Sequence, residues 1–264
     1  MGYIHKLSSL VKIHFKNAFI YRMDFMASII ITPIIILMEY FTWRMFFSMS
    51  QTIQGYTFDD IMKYYVIIML VSHFIYNQVG QRVQQKIMYG DLNQFLLKPM
   101  DVISQFLSED MAQRMIAFLV EVIPLFIIMI IALKISIPWI NIIMVLISMI
   151  MAFFINFFIS FFMGLLSFWL YKSESFQWLM FWFLMMMSGQ FIPLEFFGET
   201  FFNISKFMPF YYMRYGVAQI FLGKLTVVES IQIIGIQFVW VLILYGIVRF
   251  FYGIAVKQYG AVGG

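Results

Sequence analysis

Cysteine is absent from the 264 residues, so the chain carries neither a disulfide framework nor a thiolate metal site. Charge is scarce as well. Asp, Glu, Lys and Arg make up 11% of the sequence, where a soluble domain carries about 25%. Hydrophobic residues reach 63%, and that balance excludes a soluble globular protein in favour of an integral membrane protein. The net charge of +4 is small and scattered, which excludes a nucleic-acid surface. Only three histidines occur, His5, His14 and His73, and none has metal-ligand spacing. A phosphate-cradling loop is missing too. The nearest approach, Gly216 to Gly223-Lys224, has six residues between its glycines and no Ser or Thr after the lysine. With no nucleophile elbow either, the chain is expected to have no catalytic residues, no metal and no cofactor of its own.

What the chain does have is apolar length. About 20 residues suffice to cross a bilayer, and six runs reach that length: 25–47, 61–80, 115–133, 139–170, 176–194 and 230–251. The expected fold is therefore an all-α membrane protein with six transmembrane helices, forming one transmembrane domain over 1–264. The run at 139–170 is long for one crossing and implies tilt or projection beyond the bilayer. If the N-terminus is cytoplasmic, eleven of the seventeen Lys and Arg residues fall in inside segments. The positive-inside rule then places both termini in the cytoplasm. Residues 3–22 are no span and no cleavable leader, because Lys6, Lys12 and Lys16 interrupt them. Ile4, Leu7, Leu10, Val11 and Phe15 instead mark the apolar stripe of an interfacial helix lying on anionic lipid.

Residues 81–114 read as a cytoplasmic region that balances four cations against four carboxylates. The helix of the second span is expected to run on past Gly80 to Gly90. Within "YGDLNQFLLKPMD", Asp91 and Gln94 form a capping-box pair, Lys98 suits the dipole of a last turn, and Pro99 stops continuation. Leu92, Phe95 and Leu96 fall at i, i+3 and i+4, so one face of this short helix is apolar. A neutral element with one such face suits a protein groove better than an anionic lipid surface.

Inside the membrane, Ser148, Ala152, Asn156, Ser160 and Gly164 recur at steps of four, a row that lets helices approach closely. The fifth run is rich in Met and aromatic residues. Trp178, Trp182, Met185, Met186 and Gln190 share a face that suits either an apolar substrate pathway or lipid. Ser188, Gly189, Gln190 and Pro193 then break the helix at membrane depth. Residues 195–229 are too broken for a span yet still apolar, and read as short helices re-entering the outer leaflet. Glu39, His73 and Glu121 are ionisable groups within spans, functional candidates by default. Glu39 can pair with Arg44, and His73 can meet Glu121 in the inner half of the bundle. The adjacent acids Asp59 and Asp60 read as a solvated loop face.

The order of these features resembles a type-2 ABC exporter permease over nearly the whole chain. "YGDLNQFLLKP" is similar to the motif of a bacterial branch whose permeases work beside a separate ATPase, as is "SGQFIPLEFF…MPF…LGK". The resemblance implies an ATP-driven exporter of the bacterial plasma membrane that moves an amphipathic or apolar substrate such as a drug, lipid or peptide. It implies a second permease, identical or homologous, and ATPase subunits that hold the ATP and magnesium. Asp91, Leu92, Phe95, Leu96 and Pro99 would form the coupling helix in an ATPase groove, and the second and fifth spans would line the pathway. Two other readings stay open: a proton-coupled secondary transporter using Glu39, His73 and Glu121, and a non-transporting membrane scaffold or immunity factor.

Overall fold

A computed structural model describes residues 22–133, 139–170 and 173–262. The interfacial helix expected over 3–22 lies outside them except at Arg22. Among the described residues every regular element is helical, apart from one isolated bridge between Ile53 and Tyr56. Four helices are long and apolar enough to cross a membrane: α1 (Arg22–Phe47), the continuous α5–α6 rod (Val102–Ala117 and Ile123–Leu133), α7 (Trp139–Leu165) and α11 (Val227–Val262). The other helices are α2 (Phe58–Ile75), α3 (Val79–Met88), α4 (Leu92–Leu96), α8 (Glu174–Met187), α9 (Glu199–Ser205) and α10 (Tyr215–Phe221).

The α2 helix begins where Thr57 and Asp60 cap each other. Thr57 Oγ1 accepts from the Asp60 amide at 3.2 Å, and the Thr57 amide donates to Asp60 Oδ2 at 3.1 Å. Asp59 pairs with Lys63 at 2.5 Å, so the acid pair serves the helix start. Beyond it α2 is apolar all round and mostly buried, as a central helix must be. It stops at Ile75, although the sequence pattern carries one helix on past Gly80 to Gly90. Asn77 Oδ1 accepts from the Val79 amide at 3.2 Å, a local bond that competes with helix. The freed Ile75 carbonyl accepts from Asn156 Nδ2 at 2.5 Å. Helix resumes at Val79 as α3.

The third apolar run starts earlier than its composition predicts, at Val102, so Glu109, Asp110 and Arg114 lie within a helix. A π-helical turn at Phe118–Val122 joins its two parts. Pro124 follows two residues later and lacks the donor that an α-helical register would require there. The fifth run ends at Met187, just before the Ser188–Pro193 break. Gly189 takes a positive φ of 74° there, which glycine adopts without steric cost. Tyr64 donates to its carbonyl and Tyr65 donates to that of Phe191 at 2.5 Å, fastening the loop to α2.

The core forms around α2 and α7. The small-residue row of α7 serves different neighbours along its length. Ser148 donates to Gln237 of α11 at 3.0 Å, whereas Gly164 lies against Gly80 and Val83 of α3. By contrast, from Ile30 to Phe47 α1 buries Thr32, Ile36 and Trp43, one narrow stripe flanked by the partly buried Tyr40 and Phe47, and leaves most of its other apolar side chains there exposed.

Candidate functional site

The hairpin begins at Gly90, whose φ of 75° turns the chain. Asp91 does not cap α4 with its side chain; it pairs with Lys86 at 3.1 Å. Leu92 is buried among Val79, Val83, Val102, Ile103 and Phe106. Phe95 stacks on Phe106, with centroids 4.8 Å apart and planes 10° from parallel, and Lys98 Nζ sits 4.9 Å from its ring centre. Gln105 of α5 donates to the Phe95 and Met100 carbonyls at 2.8 and 2.9 Å. At the base of the hairpin Arg249 of α11 pairs with Asp101 at 2.6 Å.

The apolar face predicted from spacing therefore turns inward at Leu92 and Phe95. Leu96 is 38% exposed, and Leu97 is 86% exposed, the apolar tip of the hairpin. Leu97 lies off the i, i+3, i+4 stripe, and that displacement was its signal: the stripe belongs to the core, and an apolar residue beside it faces outward. Pro99 is exposed next to it. A cavity of about 280 Å³ flanks the hairpin, lined by Arg82, Lys86, Lys98, Phe95, Gln105 and Glu109. Arg82 bonds Glu109 at 2.9 Å and the buried Asp110 at 3.0 Å.

A polar layer crosses the bundle where α1, α2 and the π turn meet. Thr32 Oγ1 and His73 Nε2 are 2.7 Å apart, and His73 Nδ1 lies 3.1 Å from Glu121. Arg114 donates to the His73 carbonyl at 3.1 Å. His73 and Glu121 thus meet as their positions suggest. Glu39, seven residues along α1 from Thr32, is in no ion pair among the described residues. Arg44 instead lies 5.9 Å from the ring centre of Tyr40.

A second cavity, of about 170 Å³, opens beside the α2–α3 break. Asn77, Gln78, Gln81, Asn156 and Gln177 give it polar walls. Its apolar side comes from α8, at Trp178, Phe181 and Met185. Of the five pathway candidates, Trp178 and Met185 line this space. Trp182 points away, 55% exposed and stacked parallel to Phe191 at 6.2 Å, while Met186 and Gln190 are half-buried beyond the cavity wall. The lining face of α8 thus runs 178, 181, 185, a rotation that helical spacing alone could not choose.

At the end opposite the hairpin, Glu195 accepts from Tyr56 at 3.0 Å and from Tyr215, and Gln219 donates to Tyr56 at 2.7 Å. Lys224 Nζ sits over the Tyr56 ring, 3.1 Å from its centre. Burial pushes the Tyr56 hydroxyl up and pulls the Lys224 ammonium below the usual lysine range. These bonds seat α10 and its flanking loops on α2.

The fold and these sites define a multi-pass helical membrane protein with a braced hairpin and a polar cavity inside its bundle. A family model described as ABC-2 family transporter protein matches residues 33–263, and the chain belongs to that family of transporter membrane subunits. No curated protein and no solved structure matches it.

Proposed function

We propose that the chain is the permease subunit of an ATP-driven exporter in a bacterial plasma membrane, moving an amphipathic or apolar substrate. The observation that carries this reading is the hairpin. Its inner residues are fixed by Gln105, Phe106 and Arg249, and it offers Leu96 and Leu97 to a partner. An apolar tip on a braced base suits insertion into a groove of an ABC ATPase that supplies ATP and magnesium. In this reading α2 and α8 are the second and fifth of six spans, both termini are cytoplasmic, and residues 195–229 re-enter the outer leaflet. A second permease, identical or homologous, completes the pathway, and lipids cover α1. Co-expression with a cognate ABC ATPase should yield a co-purifying complex that transports only with ATP. A chain that moves substrate on an imposed proton gradient, with no ATPase bound, would overturn it.

The His73–Glu121 contact is the observation favouring a proton-coupled transporter. The two readings part at Glu121→Gln. In an ATP-driven permease the pair is structural, and ATP-dependent transport should persist. In a proton-coupled carrier the same substitution should abolish transport.

Substitutions on α8 separate cavity from lipid. Trp182→Ala removes an outward side chain and should change stability by less than about 0.5 kcal/mol. Trp178→Ala opens a cavity wall and should change which compounds stimulate ATP hydrolysis. Substrate-stimulated ATPase activity, read beside the melting temperature of the complex, checks both.

A further inference from the structure

Arg214 is 7% exposed and lines the 170 Å³ cavity beside the α2–α3 break. Its Nε donates to Ser72 Oγ at 3.0 Å and its Nη1 to Ser188 Oγ at 3.1 Å. Both partners are neutral, and among the described residues no carboxylate is paired with it. The other arginines inside the bundle are balanced. Arg82 bonds Glu109 and Asp110, and Arg114 lies in the field of Asp110 and Glu121. A guanidinium keeps its proton in proteins, so the charge at Arg214 cannot be relieved by deprotonation. A buried charge is costly unless it is paired. Around it Asn77, Gln78, Gln81 and Asn156 make polar walls, Gln177 is tied to Gln84 and Ser173, and Trp178, Phe181 and Met185 make an apolar wall.

We infer that this cavity binds the anionic group of an amphipathic organic anion, with Arg214 as its counter-charge. The inference rests on the reading of the cavity as part of the transport pathway and names the substrate class that pathway takes. Drug-sized ligands fill about 300–1,000 Å³. The cavity, at about 170 Å³, therefore takes a carboxylate, sulfonate or phosphate head and few carbons more. The tail lies along Trp178 and Phe181 towards the outer side of α8. Arginine suits this role because its planar fork bonds such heads with two parallel donors. The head has two possible sources, a free amphiphile or an anionic lipid.

The test uses the full-length chain in phosphatidylcholine nanodiscs, with a twelve-carbon fatty carboxylate and the alcohol of equal length as probes. Binding is read by tryptophan fluorescence, which needs no ATPase, so a failure of the exporter reading leaves the measurement intact. The carboxylate should bind at least about tenfold tighter than the alcohol, the scale of one charge-assisted bond. Arg214→Gln should erase that preference and Arg214→Lys should keep part of it. If the arginine variants do not fold, Gln81→Glu places a carboxylate in the wall with Arg214 intact, and should weaken carboxylate binding while sparing the alcohol. In phosphatidylglycerol nanodiscs, loss of the preference identifies the lipid headgroup as the occupant, and its persistence identifies the free amphiphile. Equal affinity for the two probes in phosphatidylcholine, or a preference that survives in folded Arg214→Gln or in Gln81→Glu, overturns the inference.

Discussion

Gly164→Ala should lower the melting temperature of the protein, although alanine is the best helix former and the change adds one carbon. A Cβ at 164 would stand 2.7 Å from the Gly80 carbonyl oxygen and 2.7 Å from Val83 Cβ. Gly80 has no room to yield, since its own Cβ position is 2.7 Å from the Ser160 carbonyl oxygen. Backbone faces backbone on both sides of the α3–α7 crossing, so the two helices must separate. Overpacking costs about 1–3 kcal/mol and occasionally more, a large share of the roughly 5–15 kcal/mol that holds a domain folded. Gly246→Ala in α11 is the control, because nothing lies within 4 Å of its Cβ position. There the gain of about 1 kcal/mol in helix propensity should survive. Melting temperatures of the two variants should therefore move in opposite directions, and a Gly164→Ala protein as stable as wild type would refute the close crossing.

Leu97→Asp should leave insertion and melting temperature unchanged and abolish stimulation of the ATPase. The side chain is 86% exposed, so the isolated chain loses almost no packing. Within a partner's apolar groove the new carboxylate is desolvated, at a cost of several kcal/mol when unpaired. About 3 kcal/mol would weaken the complex roughly a hundredfold. Phe95→Asp is the poorer probe. It also destroys the stack on Phe106 and the contact with Lys98, so its loss of coupling would be confounded with a collapsed hairpin. Co-purification and ATP hydrolysis measured on the Leu97 variant decide the matter: unimpaired stimulation would remove the hairpin tip from the interface.

Helix content, the stop before Ser188 and the hairpin between the second and third apolar runs follow from composition and from helix breakers such as Gly90, Pro99 and Gly189, although Asp91 does not cap as its spacing predicts. Orientation does not. In water an apolar stripe points to the core, but in a bilayer lipid and protein are equally apolar, so the pattern at Trp178–Gln190 fits two rotations. Leu92 and Phe95 turn inward for a related reason: a stripe seeks whatever apolar surface is nearest, here α3 and α5 of the same chain. The break at Tyr76–Gln78 carries neither Gly nor Pro, and its only mark was Asn77, whose side chain bonds its own turn. Arg214 sits in an aromatic run that reads as interfacial, and only tertiary structure brings Ser72 and Ser188 to it.

The gap between α2 and α3 makes one apolar run into two rods with separate moorings. Tyr64 and Tyr65 hang the first from the Gly189 and Phe191 carbonyls. The second is wedged at Gly80 and tied where Gln84 accepts from Ser173 and Gln177 at 2.8 and 2.6 Å. The joint is not helical: Tyr76 stands at φ −56°, ψ 128° and Gln78 at φ −116°, ψ 26°. Load applied at the Leu96–Leu97 tip meets α5 and α11 at Gln105, Phe106 and Arg249, and α7 and α8 through that wedge. The joint residues Tyr76, Asn77 and Gln78 and the start of the second rod, Gly80 and Gln81, wall the cavity beside Arg214, so relative motion of the two rods would change the shape of that cavity.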